Sequence, residues 1–333
     1  MVDEVDIFDW SSFDVFELEE RTSGHSLRFV FRLLLERCGL VGLVDTVGLD
    51  SFLGELERLY SVGGNPYHTH LHAADVVATA ATMLKVDAGL FSAFRDWELL
   101  SLAIACAGHD VGHQGVTNAY HASLKTDWYM MYASGKKGRE SVNSINELAH
   151  VDITLSLLRQ ERHDFLHMME AEKREKVLEY IEKMILRTDI TWHEEVCERF
   201  VRASQKSSDA WVEEDRVQIL SGLLHFADVS NPGRPWKLCK RWAELLHDET
   251  LLEWEKVAAH GASLSGTEAP CAEQPHAASL ACSQIEFIKS TILPFCDQVS
   301  LVSPKFAELI RPHLDESVRA WALSQASIHE EES

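Results

Sequence analysis

The stretch Asn65–Leu84, NPYHTHLHAADVVATAATML, sets His68, His70 and His72 two residues apart. On a strand all three would share one face, but the Ala-rich run that follows argues for a helix. On a helix His68 and His72, at i and i+4, are neighbours, while His70 is rotated by about 200° and faces elsewhere. The same three- and four-residue spacing of apolar positions recurs on either side of this stretch. It is seen in SLRFVFRLLLERCGL (26–40), SFLGELERLY (51–60), DWELLSLAIACAG (96–108), VDITLSLLRQ (151–160) and KVLEYIEKMILR (176–187). No sustained alternation bounded by turn dipeptides calls for a sheet. No self-similarity at a period of roughly 20–50 residues marks a repeat array. The predicted fold is all-α.

The chain has 333 residues, 46% of them hydrophobic and 25% charged, which places it with globular proteins and allows one large domain or two average ones. No apolar run reaches the roughly 20 residues that span a bilayer, and the acidic start MVDEVDIFDW is unlike a basic leader. The expected location is cytoplasmic. Seven cysteines, at 38, 106, 197, 239, 271, 282 and 296, are scattered and form no CxxC pair, so they read as reduced, mostly buried thiols. A formal net charge of −22 repels polyanions and excludes nucleic acid as a natural partner. A small anionic ligand would need concentrated local positive charge, for which divalent cations are the obvious source.

Residues 1–20, rich in Asp, Glu, Phe and Trp, read as a packed lead-in segment or a linker. Residues 124–141, containing GKKGRE, read as a surface excursion that lacks the full phosphate-loop pattern. Residues 257–282, rich in Ala, Gly, Ser and Pro, read as a long loop between two helices. A final helix, AELIRPHLDESVRAWALSQA, is followed by an acidic tail, 326–333, expected to fray.

Three segments carry candidate metal ligands. Taken alone, the His68/His72 pair reads more often as surface or core histidines than as metal ligands. In ACAGHDVGHQGVTN (105–118), His109 and Asp110 are adjacent and can flank one cation through nitrogen and oxygen. A carboxylate with a second oxygen to share is what a binuclear site requires. The apolar run before the pair implies a buried helix, where His and Asp are costly unless paired or bound to metal. In SGLLHFADVSNPGRPW (221–236), Asp228 falls at the unfavourable C-terminal end of an apolar helix stopped by Asn231-Pro232. Alone it could be a cap or an ion-pair residue, yet with the others it completes a His2Asp2 set. Such donors suit Zn²⁺ where both histidines bind, and Mg²⁺ or Mn²⁺ where oxygens dominate.

These residues resemble the class I cyclic-nucleotide phosphodiesterases. The matching pieces are YHTHLHAADV (67–76), HDVGHQGVTN (109–118), INELAH (145–150), LRTDITWH (186–193), LLHFADVSNPGRPW (223–236) and SQIEFI (283–288). The resemblance covers residues 8–325 and implies a single compact catalytic domain of many helices in three packed groups, with the binuclear site between them. It implies that His72, His109, Asp110 and Asp228 hold zinc and that Asp110 also binds a second ion, usually Mg²⁺. It makes His68 the general acid and puts His113, Glu147 and Thr188 around the water shell of the second metal. Gln284 and Phe287 match the family's base-binding glutamine and aromatic clamp, Asn231 and Tyr67 match other pocket positions, and Leu245 is expected on the opposite wall.

The implied activity is hydrolysis of the 3′ phosphoester of cyclic AMP, cyclic GMP or both to the nucleoside 5′-monophosphate. A hydroxide activated by two metal ions attacks phosphorus, and His68 protonates the leaving O3′. Two features depart from the family. Thr69 stands where an Asn usually follows the general acid, and the 257–282 loop differs in composition beside the base pocket. The alternatives are a His-Asp phosphohydrolase of another nucleotide, which leaves SQIEFI and SNPGRP unexplained, and a catalytically silent cyclic-nucleotide-binding or scaffold domain. Regulatory domains outside the chain are compatible with the sequence.

Overall fold

A computed structural model describes residues 5–133, 144–260 and 276–331, and no strand occurs among them. The all-α expectation holds. Three helices form the centre: His70–Val86, Asp96–Gly108 and Glu213–Val229. Each is buried on nearly every side, so none shows the polar stripe of a surface helix. Small residues make this packing possible. Ala73, Ala74, Ala78, Ala80 and Ala81 on the first and Ala103, Ala105 and Ala107 on the second are all under 5% exposed, which lets backbones approach closely. His70–Val86 packs against Ser26–Arg37, Asp96–Gly108 and Glu213–Val229. Asp96–Gly108 packs in turn on Ala171–Ile185, and Glu213–Val229 on His193–Ser204.

Both ends of the chain cover this centre. Ile7, Trp10, Phe13, Val15, Phe16 and Leu18 of the lead-in segment are buried in the main core, which runs continuously to Trp321 of the last helix, Pro304–Glu331. That helix packs along His276–Phe287. No described helix is long and apolar enough to cross a membrane.

Several element boundaries differ from expectation. The helix expected from His68 begins only at His70, because Thr69 takes extended backbone and its hydroxyl accepts from Leu71 N at 3.3 Å as the N-cap. Residues 127–132, inside the expected excursion, form a short helix, while GKKGRE lies outside the described residues. The expected 257–282 loop is shorter. The Trp236–Ala259 helix carries Val257 into a small apolar cluster with Val116 and Tyr120, and helix resumes at His276. Residues 261–275, including Cys271, lie outside the described set. The six described cysteines are free thiols, four of them buried, with Cys38 half-buried and Cys282 exposed.

Candidate active site

The three central helices converge at one point. His72 sits in the first turn of its helix, His109 immediately follows Gly108 at the end of the second, and Asp228 is one residue from the end of the third. His109 and Asp110 therefore occupy the turn beyond a helix, where the chain is free to bend both side chains inward, and not the helix turn expected from sequence.

Asp228 Oδ1 lies 2.9 Å from His72 Nε2 and 3.3 Å from His109 Nε2. Asp110 Oδ2 lies 3.0 Å from His109 Nε2 and 3.6 Å from His72 Nε2. Both imidazoles are fully buried. His109 Nδ1–H donates to the Cys106 carbonyl at 2.9 Å, so Nε2 is the nitrogen turned toward the carboxylates, and a neutral ring presents its lone pair there. A lone pair facing two carboxylates is repulsive unless a cation or a proton stands between them. The donor set fits a metal ion: one ligand atom from each of the four residues lies within 4.8 Å of all the others. Asp110 reaches the other way as well, its Oδ1 being 3.8 Å from His150 Nε2.

This cluster opens on a cavity of about 870 Å³, large enough for a drug-sized or nucleotide-sized ligand. His68, in the loop before its helix, lines it. His68 is 6.1 Å, ring centre to ring centre, from His72, so the expected proximity survives although the two do not share a helix. Its Nδ1–H donates to Glu249 Oε1. The other carboxylate oxygen accepts from the backbone N–H of Tyr67 at 2.9 Å and of His68 at 3.1 Å. With Nδ1 committed, Nε2 is the ring nitrogen available to a ligand. Burial works against charge on His68, but the carboxylates of Glu249, Asp110 and Asp228 outweigh it and push its pKa up to about 9. The stacked neighbour His113, with ring centres 3.8 Å apart, is driven the other way by burial and by the charge on His68. The proton thus resides on His68 while His113 stays neutral, with its Nδ1 accepting from Gly115 N at 3.0 Å.

Glu147 and Thr188 line the same cavity beside Asp110 and His150. Burial and the nearby Asp189 charge push the Glu147 carboxyl up to about 8, although Asn118 donates to it at 2.9 Å. Thr188 Oγ1 donates to the Ile185 carbonyl at 2.8 Å. Gln284 and Phe287, one turn apart, line the wall formed by the His276–Phe287 helix. The next turn, Ile288–Ile292, is a π-helix leading into Pro294, whose missing N–H interrupts the ladder. Tyr67 and Asn231 also line the cavity, linked by the Tyr67 hydroxyl donating to Asn231 Oδ1. Leu245 does not. Its neighbour Leu246 faces the cavity, about 100° further round the helix, while Leu245 packs against the core. His70 also stands apart, its Nε2 donating to Glu19 at 2.7 Å.

Sequence reasoning missed Glu249, His150 and the buried ion pair of Asp75 with Arg234. A signal for the first was present. On Trp236–Ala259 the inward stripe runs through Trp242, Leu246, Glu249, Glu253 and Val257, so two acids occupy positions that should be apolar. No comparable local signal distinguishes His150 from the rest of INELAH.

Comparisons with known proteins agree with this geometry. A dual specificity calcium/calmodulin-dependent 3′,5′-cyclic nucleotide phosphodiesterase 1B from Homo sapiens is 29% identical over 92% of this chain and 54% of its own length. A probable 3′,5′-cyclic phosphodiesterase from Caenorhabditis elegans is 29% identical over 85% of this chain and 40% of its own. The chain thus spans about half the length of the curated relatives it matches. The crystal structure of the phosphodiesterase domain of a RhoPDE fusion protein from Salpingoeca rosetta superposes with a TM-score of 0.82 at 23% identity, covering 98% of both chains. The family model described as 3′5′-cyclic nucleotide phosphodiesterase matches residues 67–313, a span containing all four clustered donors and the cavity wall, and the chain belongs to that family.

Proposed function

We propose that this chain hydrolyses the 3′ phosphoester of cyclic AMP, cyclic GMP or both, releasing the nucleoside 5′-monophosphate. The observation that carries the reading is a His2Asp2 cluster beside a cavity in which His68 is clamped by the buried Glu249. In this reading His72, His109, Asp110 and Asp228 hold Zn²⁺, and Asp110 with the Glu147 side of the cavity serves Mg²⁺ or Mn²⁺. Bound there, such cations supply Lewis-acid stabilisation of phosphoryl charge and lower the pKa of water toward neutrality.

The chain's own residues do the rest. His68 gives its Nε2 proton to the departing O3′, and Glu249 holds the ring in place and keeps it charged until that moment. His113, Glu147 and Thr188 orient water on the far side of Asp110. Gln284 pairs with the base, its amide able to donate and accept, while Phe287 lies against the ring face. Tyr67 and Asn231 shape the floor. Residues 8–325 form one catalytic domain that works in the cytoplasm, and the relatives' greater length leaves room for regulatory domains elsewhere in the protein. A silent scaffold is less well supported, because mere binding needs no glutamate-clamped proton donor, and a phosphohydrolase of another nucleotide leaves SQIEFI (283–288) and SNPGRP (230–235) unexplained.

Steady-state turnover of both cyclic nucleotides, measured side by side with the Asp228→Ala variant, tests the proposal. Turnover of at least one nucleotide, abolished by chelation and by the substitution, is expected. Undiminished turnover by Asp228→Ala refutes the metal assignment.

A further inference from the structure

The lead-in segment makes contacts that ordinary core packing does not require. Trp10 is 1% exposed, its indole N–H donates to the Gly233 carbonyl at 2.8 Å, and its ring face lies 3.8 Å from the Arg234 guanidinium carbon. Arg234 is itself buried and grips Asp75, with Nη2 to Oδ1 at 2.6 Å and Nε to Oδ2 at 3.3 Å. Asp75 Oδ2 accepts from Asn231 Nδ2 at 3.0 Å, and Asn231 Oδ1 accepts from the Tyr67 hydroxyl. The Tyr67 ring centre lies 4.9 Å from that of His68 and 4.6 Å from that of His72. A series of contacts therefore runs from residue 10 to the proton donor and a metal ligand: buried and polar as far as Tyr67, then ring against ring from Tyr67 to His68 and His72. A second contact runs in parallel: Phe16 packs on Trp242 at 4.7 Å, and Trp242 meets Tyr67 at 5.5 Å.

We propose that Trp10 is a positioning residue for the substrate pocket. It pins the turn at 230–234 from beneath, and through Arg234, Asp75 and Asn231 it fixes the Tyr67 ring that borders the reacting groups. The physical basis is that every link is buried and committed: Asn231 spends its carbonyl on Tyr67 and an amide hydrogen on Asp75, so its orientation follows Arg234 and not solvent. Cation–π contact with a desolvated guanidinium is among the stronger contacts of its kind, and the Gly233 carbonyl finds its partner in the indole. The inference rests on the functional reading above.

Its test uses the whole chain with metals bound. Trp10→Phe keeps an aromatic face for Arg234 and deletes the N–H, whereas Trp10→Leu removes both and is the variant more prone to misfold. Hydrogen exchange at the Gly233 and Arg234 amides, which close this turn onto Ser230 and Asn231, should quicken about fivefold in Trp10→Phe, the worth of one lost hydrogen bond. Exchange in Ala171–Ile185 should not change. KM for the cyclic nucleotide should rise by a similar factor with kcat within about twofold and metal content unaltered, and the rise should vanish in an Asn231→Ala background, since coupled residues are non-additive. Exchange that quickens evenly along the chain or not at all overturns the proposal, as does a KM effect that multiplies with Asn231→Ala. If the wild-type chain turns over neither nucleotide, the functional reading fails and the exchange measurement still decides the role of Trp10.

Discussion

Replacing Glu249 with Gln changes one atom of the side chain and tests the reading of His68 as proton donor. The carboxylate accepts three N–H groups, from Tyr67 N, His68 N and His68 Nδ1. Glutamine has a single acceptor oxygen. If that oxygen keeps the two backbone donors, the amide NH2 opposes Nδ1–H and drives the proton off it. A hydrogen bond to a charged group contributes about 1.5–3 kcal/mol, and each 1.36 kcal/mol is tenfold in rate, so kcat should fall about 10- to 150-fold. Loss of the glutamate charge also removes the carboxylate that does most to raise the pKa of His68, and so lowers it. A general acid must be protonated to act, so the high-pH limb of the kcat profile should move to lower pH. Metal held by the His2Asp2 cluster should be unchanged, since Glu249 lies outside that cluster. Steady-state kinetics across pH with metal analysis measures all three. A kcat within about twofold of wild type and an unmoved alkaline limb would refute the reasoning.

Other substitutions probe separate parts of the structure. His68→Ala should keep its metals and lose about 10²–10⁴-fold in rate, as expected for a general acid, and loss of zinc from that variant would assign His68 a different role. At Gly222 an added Cβ would lie 2.2 Å from the Phe200 ring; overpacking of about 1–3 kcal/mol then exceeds the helix-propensity gain of about 1 kcal/mol, so Gly222→Ala should lower the urea midpoint, and a raised midpoint contradicts the packing described. Burial lowers the pKa of His121 to about 4, against the usual 6.5, so the unfolded chain binds this proton first. The neutral ring is cost-free above pH 6.5, and stability is lost as pH falls toward 4, by at most about 3 kcal/mol. His121→Gln should flatten that part of the stability profile, and equal pH slopes in the two proteins would show that His121 contributes nothing.

The sequence alone determined the residue types and their local setting. Imidazoles and carboxylates standing on apolar helices are costly without a partner, so His72, His109, Asp110 and Asp228 were legible as a set. The 3.6-residue period made the fold class legible too. The pairing of His68 with Glu249, 181 residues apart, was decided only by the tertiary structure. A lone glutamate on an amphipathic helix has no local feature that names its partner, even though its place on the inward stripe marks it as unusual. The same reason explains Leu245. Periodicity locates a stripe to within one position, and the choice between Leu245 and Leu246 depends on how the Trp236–Ala259 helix is rotated against its neighbours. The start of the helix at His70 was set by the Thr69 cap, which moved His68 into a loop while the fold kept it beside His72. Local chemistry could be read from order along the chain; which groups meet across the cavity required the packing of helices distant in sequence.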